Sequence, residues 1–376
     1  MKTSVRSLWA LTGCFISLGV VGNTLFARYP AFQAQFQLSA TDWGCTLFAL
    51  GLGGLTAYPL NRLLLLRWGS RATIQRCGVL LGVWMVCVPW VSNTIQLWLV
   101  VYFLGVLVNA ISVGVNSQAA LMELSSGQRN MGKLHAMFYF GTTVSAVLSS
   151  ALVASDCGIR MHFGLVGAIL AVAYWQLADR LLPDSARLSR RGAVALPNHR
   201  IAGLGVLAAC AALVEGGMNG WITLYLHDVL AASASVAALG IAVFSAAMMV
   251  GRFLTDSHAD RWGAQRLVRS GTLVAAMALG LAVISHSLLL MFLALVVVGL
   301  GQAAIFPLVF STAGRLGGNA ISGVASMGSG GGLVGPLLLG RVAAAASLPG
   351  VLLAVAGGLL ALSWRAKSLQ DREGPN

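Results

Sequence analysis

The sequence predicts an all-α integral membrane protein with twelve transmembrane helices, arranged as two pseudo-symmetric six-helix bundles with both termini in the cytoplasm. Of its 376 residues, 57% are hydrophobic and only 9% are charged, whereas ordinary soluble domains carry about 25% charged residues. A soluble fold of this length could not bury that much apolar surface. The apolar residues also form runs of roughly 20, and a helix of that length crosses the ~30 Å of hydrocarbon in a bilayer.

A polar segment from Pro183 to Arg200 stands at the midpoint of the chain and separates six apolar runs from six more. We predict an N-terminal half over 1–182, a cytoplasmic linker over 183–200 and a C-terminal half over 201–376. The predicted spans are Ser7–Ala27, Thr41–Asn61, Ala72–Val91, Leu97–Leu121, Lys133–Ala154, Met161–Leu182, Ile201–Leu224, Leu230–Leu254, Leu267–Ser287, Leu288–Thr312, Ile321–Arg341 and Leu348–Trp364.

The basic residues set the orientation of these spans. Of the 24 Lys and Arg residues, 21 belong to alternate gaps between the runs, and only Arg28, Arg160 and Arg341 belong to the others. Arg252, near the end of the eighth run, is counted with the majority. Because cytoplasmic loops are enriched in Lys and Arg, both termini are predicted to be cytoplasmic. The same pattern accounts for the net charge of +13, so we expect no nucleic-acid partner.

The two halves carry a related segment after their second span. "RWGSRATIQRCG" covers Arg67–Gly78, and "RWGAQRLVRSG" covers Arg261–Gly271. Internal repeats of this kind are typical of secondary transporters, whose sites lie between the repeats near mid-membrane. The repeat therefore indicates two halves built on one plan.

The stretch "GRFLTDSHADRWGAQR", Gly251–Arg266, resembles the signature loop of the major facilitator superfamily, in which an Asp-Arg pair precedes a glycine and a further basic residue. With the span count and the repeat, the resemblance covers almost the whole chain. It implies the fold of that superfamily and secondary transport. The first copy of the loop departs from the pattern, because Asn61 and Leu66 occupy its glycine and aspartate positions.

The charged residues of both loops are predicted to form a gate at the cytoplasmic surface. Carboxylates there can pair with arginines or cap a neighbouring helix end, and Gly263 permits a tight turn. The alternative is a solvated loop whose arginines only fix the topology. The predicted gating residues are Arg67, Gly69, Arg71, Asp256, Asp260, Arg261, Gly263 and Arg266.

Four further stretches resemble the bacterial MosC/YbjJ-like branch of this superfamily, namely Ala27–Gly44, Val113–Gly141, Val214–Leu230 and Pro307–Arg315. The branch implies a small polar organic solute as substrate and the bacterial cytoplasmic (inner) membrane as location. Acidic residues that the branch commonly carries near Ser112 and Gly220 are absent from this sequence.

Glu215 interrupts the apolar run of the seventh span. It follows Ile201 by fourteen residues, or roughly 21 Å of helix, so it is expected beyond the midplane. An ionisable side chain within the bilayer costs roughly 2.5–3.5 kcal/mol on insertion scales and usually faces a cavity. We interpret Glu215 as a proton carrier, neutral in one state and ionised in another. There are two alternatives for Glu215. It could be a neutral acid that forms a structural hydrogen bond, or it could contact the substrate directly.

Five amides inside apolar runs are candidates for a substrate cavity. Amides both donate and accept hydrogen bonds, which suits a polar, uncharged or zwitterionic solute. For any one of them, an interhelical hydrogen bond, worth ~0.6 kcal/mol on average, is the alternative. Trp221 is a further candidate, although Trp43, Trp221 and Tyr225 also fit anchors at the membrane interface. The amides are Asn23, Asn109, Asn116, Asn219 and Gln302.

We expect no cofactor and no metal. "GGGLVG", Gly330–Gly335, matches a dinucleotide-binding pattern, but it lies in a predicted span without a preceding strand. It is interpreted as a site of close helix contact. The sequence contains no Walker lysine motif and no His-Glu-x-x-His site.

These observations favour a proton-coupled secondary active transporter that acts as a monomer. Its expected partners are a small-molecule substrate, protons and the lipid bilayer. The direction of transport is open, so an exporter of a self-made metabolite or of drugs is the alternative. Two lesser alternatives are a sensor that does not translocate and a polytopic membrane enzyme. The enzyme is disfavoured because its one candidate nucleophile, Ser329, has no histidine beside it in the sequence.

Overall fold

The computed structural model describes residues 2–126, 131–183, 201–315 and 318–369. Within these ranges all regular structure is helical, as predicted. The predicted linker 183–200 lies, apart from Pro183, outside the described residues. The helices are α1 (Lys2–Ala27), α2 (Tyr29–Phe36), α3 (Ala40–Cys87), α4 (Thr94–Ser126), α5 (Met131–Ala154), α6 (Ile159–Ala178), α7 (Ala202–Asp228), α8 (Ala234–Trp262), α9 (Ala264–Ser285), α10 (Leu288–Ala303), α11 (Ile305–Arg315) and α12 (Gly318–Arg365), with short 3-10 turns at Val88–Trp90 and Ala366–Leu369.

Ten helical segments of the described chain are long and apolar enough to cross a membrane. Two of them, Ala40–Trp90 with 51 residues and Gly323–Leu369 with 47, have twice the length that one crossing needs. The backbone leaves the helical conformation at Gly69 in the first and at Ala346 and Ser347 in the second. Each break separates two of the predicted spans.

By its internal contacts the chain divides into two compact units. Unit 1 comprises Met1–Arg191 and Ser233–Ala242, and unit 2 comprises Gly192–Ala232 and Val243–Asn376. Each unit is therefore built largely from one predicted half, while the start of α8 groups with unit 1.

Glycines let helices approach closely within each unit. In unit 1, a Cβ atom on Gly53 of α3 would overlap the carbonyl oxygen of Tyr102 in α4. In unit 2, Gly331 of α12 lies in the same way against the backbone of Ala209 in α7. Small residues are typical of such contacts, because helices in lipid associate through close packing rather than through a hydrophobic driving force. The helix contact predicted for the "GGGLVG" stretch is confirmed, and it holds α12 beside the helix that carries Glu215.

Candidate functional site

Glu215 in α7 lies close to Arg252 in α8. Oε2 of Glu215 is 4.0 Å from Nη2 of Arg252, and the side chains are 20% and 11% exposed, respectively. A charge-assisted hydrogen bond has an N–O distance of about 2.7–2.9 Å, so this is a loose ion pair. Arg252 lies inside the candidate span Ala234–Thr255, three residues before its end. Sequence order could not reveal that a carboxylate on another helix faces this arginine.

The pair lies inside both helices rather than at their ends. Glu215 follows Ala202, the first residue of α7, by thirteen residues, or about 20 Å. Arg252 precedes Trp262, the last residue of α8, by ten residues, or about 15 Å. Two charges inside apolar helices are tolerated when they remain close to each other, because each reduces the cost of removing the other from water.

Gln302 of α10 packs against α7 one turn before Glu215. Its Nε2 donates to the backbone carbonyl of Ala211 at 3.2 Å, and Ala211 precedes Glu215 by about one helical turn. Since a carbonyl can only accept, this bond fixes which way the amide points. The Oε1 atom of Gln302 is buried and has no hydrogen-bond partner among the described residues.

Asn219 and Trp221 add two further unsatisfied polar atoms to α7. Asn219 lies one turn beyond Glu215, and its Oδ1 is buried without a partner in the described part of the chain. The side chain of Trp221 is 1% exposed, and its Nε1 donor has no acceptor there. A buried polar group without a partner costs about 1–3 kcal/mol. Three such atoms therefore lie on or beside this part of α7.

Sequence reasoning missed three hydroxyl groups of unit 2. The hydroxyl oxygens of Thr223, Tyr225 and Ser245 are also buried and without a hydrogen-bond partner within the described ranges. Ser and Thr inside helices commonly donate to the carbonyl four residues earlier, as Thr255 does to Gly251 at 2.9 Å. The residue types alone therefore did not indicate that these three hydroxyl groups lack a hydrogen-bond partner.

Trp43, Trp221 and Tyr225 are not interface anchors. All three are at most 1% exposed, whereas an anchor presents its ring to the headgroup region. The ring of Trp43 packs against that of Tyr29 in a tilted arrangement, with the ring centroids 3.8 Å apart. An aromatic residue near the end of a span has the same sequence signature whether it faces lipid or another helix, which explains the error.

Asn109 of α4 forms an amide pair with Asn61 of α3. Nδ2 of Asn61 donates to Oδ1 of Asn109 at 2.6 Å, and Asn61 is 3% exposed. Asn61 is the residue that replaces glycine in the first signature loop, so this departure supplies a cross-link between two helices of unit 1. For Asn109 the structure therefore favours the interhelical alternative.

Asn116 and Asn23 also bond within unit 1. Nδ2 of Asn116 donates to the carbonyl of Ser112, one turn earlier in α4, at 2.8 Å. Nδ2 of Asn23 in α1 lies 3.4 Å from Oγ of Ser145 in α5. Asn23 is 1% exposed, and its Oδ1 has no partner in the described chain. Of the predicted amides in unit 1, Asn23 alone thus retains a buried, unsatisfied atom.

The two repeat loops share a backbone conformation. Gly69, at the break in α3, has φ 74°, and Gly263, immediately before α9, has φ 79°. Positive φ is readily adopted only by glycine. The tight turn predicted at Gly263 is confirmed, and Gly69 makes the corresponding turn in the first copy.

The predicted gating charges are only partly brought together. Nη2 of Arg71 lies 3.0 Å from Oδ1 of Asp179, which follows α6 and was not predicted as a partner. The side chain of Asp256 lies outside the described part of the chain, so its predicted role is untested. The other gating charges are exposed, and no ion pair joins them to the described residues: Arg67, Asp260, Arg261 and Arg266.

A buried polar cluster after α1 was also missed. Arg28 is 7% exposed and donates from Nε to Nδ1 of His162, at the start of α6, at 2.8 Å. The two residues are separated by 134 positions, and neither stands in a recognisable motif. The described residues contain no group of three or more His, Cys, Asp and Glu side chains able to hold a metal ion.

Two double-length helices with internal breaks, the repeated glycine turns and an ion pair between two apolar helices agree with a family match. The family model of the Major Facilitator Superfamily matches residues 15–336. The chain belongs to this superfamily. It is therefore a multi-pass membrane protein of a transporter family, and the resemblance drawn from its signature loop is confirmed.

Relatives extend along most of the chain. It is 31% identical over 349 residues to the uncharacterized transporter y4wD of Sinorhizobium fredii, covering 89% of this chain and 90% of that protein. It is 25% identical over 346 residues to the membrane protein MosC of Rhizobium meliloti, covering 90% and 84%. The crystal structure of the nucleoside transporter NupG superposes with a TM-score of 0.77 at 13% identity and covers 99% of this chain and all of that one. This last likeness concerns the fold alone.

Proposed function

We propose that the chain is a proton-coupled secondary active transporter that moves a small polar organic solute by alternating access. In this proposal α3 and α12 each cross the bilayer twice, which gives twelve spans with both termini in the cytoplasm. The distribution of Lys and Arg supports that orientation. The protein acts as a monomer in the bacterial cytoplasmic membrane and catalyses no reaction.

The observation that carries the proposal is the set of unsatisfied polar atoms near Glu215. Oε1 of Gln302, Oδ1 of Asn219 and Nε1 of Trp221 are buried without partners in the described chain. Two of them accept and one donates a hydrogen bond. A solute with both hydroxyl or amide donors and an acceptor matches this set, and its binding would remove the cost of leaving these atoms unpaired.

Glu215 is the proposed proton-coupling residue. A proton bound by Glu215 removes the negative charge that attracts Arg252, and loss of the proton restores it. The distance between α7 and α8 at this depth can therefore respond to the protonation of one side chain. Since such a pair is stable only while its members stay close, the response suits a step between two conformations.

Uptake into proteoliposomes tests this role, with a polar solute that raises the thermal stability of the protein as the probe. The Glu215→Gln variant is expected to bind the solute and exchange it across the membrane, but not to accumulate it when a pH gradient is imposed. Glu123→Gln makes the same chemical change in α4 and is expected to accumulate the solute as the wild type does.

Two outcomes would refute different parts of the proposal. Accumulation by Glu215→Gln at the wild-type level would remove the proton role from this residue. If the wild-type protein binds the solute but never moves it across the membrane, the transport function itself is wrong and the sensor alternative gains support.

A further inference from the structure

A buried guanidinium connects two segments of unit 1. Arg28 follows Ala27, the last residue of α1, at the end of that helix opposite to the N-terminus. Its Nε donates to Nδ1 of His162 at 2.8 Å, and its Nη2 donates to the carbonyl oxygen of Cys157 at 2.7 Å. Arg28 and His162 are 7% and 1% exposed. These bonds hold the α1–α2 junction against the α5–α6 connection.

The direction of the bonds determines the protonation state of His162. A guanidinium can only donate, so Nδ1 of His162 accepts and carries no proton. Nε2 then carries the single proton of the neutral ring, and it lies 3.4 Å from Oγ of Ser149 in α5. A second proton could bind only at Nδ1, where it would displace Arg28 and set two cations side by side. The contact with Arg28 and a proton on His162 therefore exclude each other.

Among the residues that the structure describes, no neighbouring negative charge offsets the repulsion between Arg28 and a protonated His162. No carboxylate of the described chain forms an ion pair with Arg28 or His162. Asp156 in the α5–α6 connection is exposed, and the guanidinium of Arg160 lies over the ring of Trp90, 4.2 Å from its centroid. The other titratable side chains on the adjoining segments are Tyr29 and Cys157.

We propose that Arg28 and His162 form a proton-responsive latch at this end of unit 1. While the imidazole is neutral, the latch is closed. When His162 binds a proton, Arg28 is released and the α1–α2 junction separates from the α5–α6 connection. An imidazole exposed to solvent titrates near neutral pH, so the separated form takes up a proton as the pH falls, and acid favours separation by linkage. The latch involves neither Glu215 nor a substrate, so it goes beyond the proposed function.

A distance measurement on the full chain in lipid nanodiscs tests the latch. Spin labels replace Gln35 on α2 and Ser155 in the α5–α6 connection, both of which are exposed, after the native cysteines are changed to alanine. Cys157 can be changed because Arg28 uses only its backbone carbonyl. At about pH 8 we expect one short distance, and at about pH 5 an additional longer component, since the exposed imidazole of the separated form binds a proton between these values.

The His162→Asn variant separates the latch from other effects of acid. Its side-chain oxygen can accept from Arg28 where Nδ1 does, but it binds no proton, so the short distance should persist at both pH values. His227→Asn and Asp156→Asn remove other titratable groups and should leave the acid-induced component intact. The latch is overturned if the wild-type distances are the same at both pH values. It is also overturned if His162→Asn responds as the wild type does, or if Asp156→Asn loses the response.

Discussion

Polar side chains inside the two units are used in different ways. In unit 1, Asn109 is bonded to Asn61 and Asn116 is bonded within its own helix. In unit 2, Oε1 of Gln302 and Nε1 of Trp221 are buried without partners among the described residues. Most of the predicted amides of unit 1 are thus bonded, with Oδ1 of Asn23 as an exception, whereas more of the buried polar atoms of unit 2 have no partner in the described chain. The comparison assigns most of the proposed ligand contacts to unit 2.

The ion pairs show the same contrast. Arg71 and Asp179 of unit 1 are 38% and 60% exposed, so water screens their attraction. Glu215 and Arg252 of unit 2 lie within candidate spans and are much less exposed. Neutralising one member of the pair should therefore change the interaction energy more for Glu215 and Arg252 than for Arg71 and Asp179. The proton-coupling role is proposed for the former pair.

The largest difference between the two units is expected in solute affinity, when one tryptophan of each unit is replaced by phenylalanine. Trp221→Phe removes a donor that has no partner in the described protein, and we expect the affinity for the solute to fall about tenfold, the value of one hydrogen bond. Trp84→Phe in unit 1 removes a donor already bonded to the carbonyl of Val100 at 2.9 Å and should leave the affinity unchanged. Calorimetric titration measures both, and equal losses in the two variants would contradict the contrast between the units.

A smaller effect, on stability rather than affinity, is expected from the amide pair of unit 1. Asn109→Leu leaves Nδ2 of Asn61 without its acceptor and should lower the free energy of unfolding by about 1 kcal/mol. Solute affinity should not change. In the double variant Asn61→Leu/Asn109→Leu no amide is left unpaired, so its loss should be smaller than the sum of the single losses. Additive losses in denaturant unfolding would mean that the two amides do not interact.

The smallest effect is expected at the exposed ion pair. Arg71→Gln should change the free energy of unfolding by no more than about 0.5 kcal/mol, because both partners are partly solvated. Unfolding at low and high salt measures it, and any difference from the wild type should shrink as salt screens the pair. A loss above 2 kcal/mol, on the order of a buried pair, would show that the Arg71–Asp179 pair contributes more to folding than its exposure suggests.

Features that depend on local sequence could be predicted. The all-helical fold follows from the hydropathy of the runs, and the turns at Gly69 and Gly263 follow from the repeated Arg-Trp-Gly segment. The position of Glu215 well inside an apolar helix follows from its distance to the start of its run. Each of these is a property of neighbours along the chain, which the sequence displays directly.

Features that depend on partners between helices could not be predicted. Arg252 looked like a residue at the cytoplasmic end of its span, and only the packing of α7 and α8 brings it to Glu215. His162 and Arg28 are far apart in sequence, and so are Asn61 and Asn109. A polar residue in an apolar run therefore signals that a partner exists but not whether that partner is protein, proton or solute.

Thermal unfolding of the purified protein with two panels of compounds, small polar metabolites and amphipathic drugs, tests most directly whether the unpaired atoms of unit 2 bind a polar solute. A ligand that binds only the folded state raises the midpoint by mass action. We expect a narrow set of polar metabolites to raise the midpoint. This shift should be lost in Gln302→Leu and kept in Asn109→Leu. Stabilisation by many unrelated amphiphiles, or a polar-metabolite shift that survives in Gln302→Leu, would contradict this expectation.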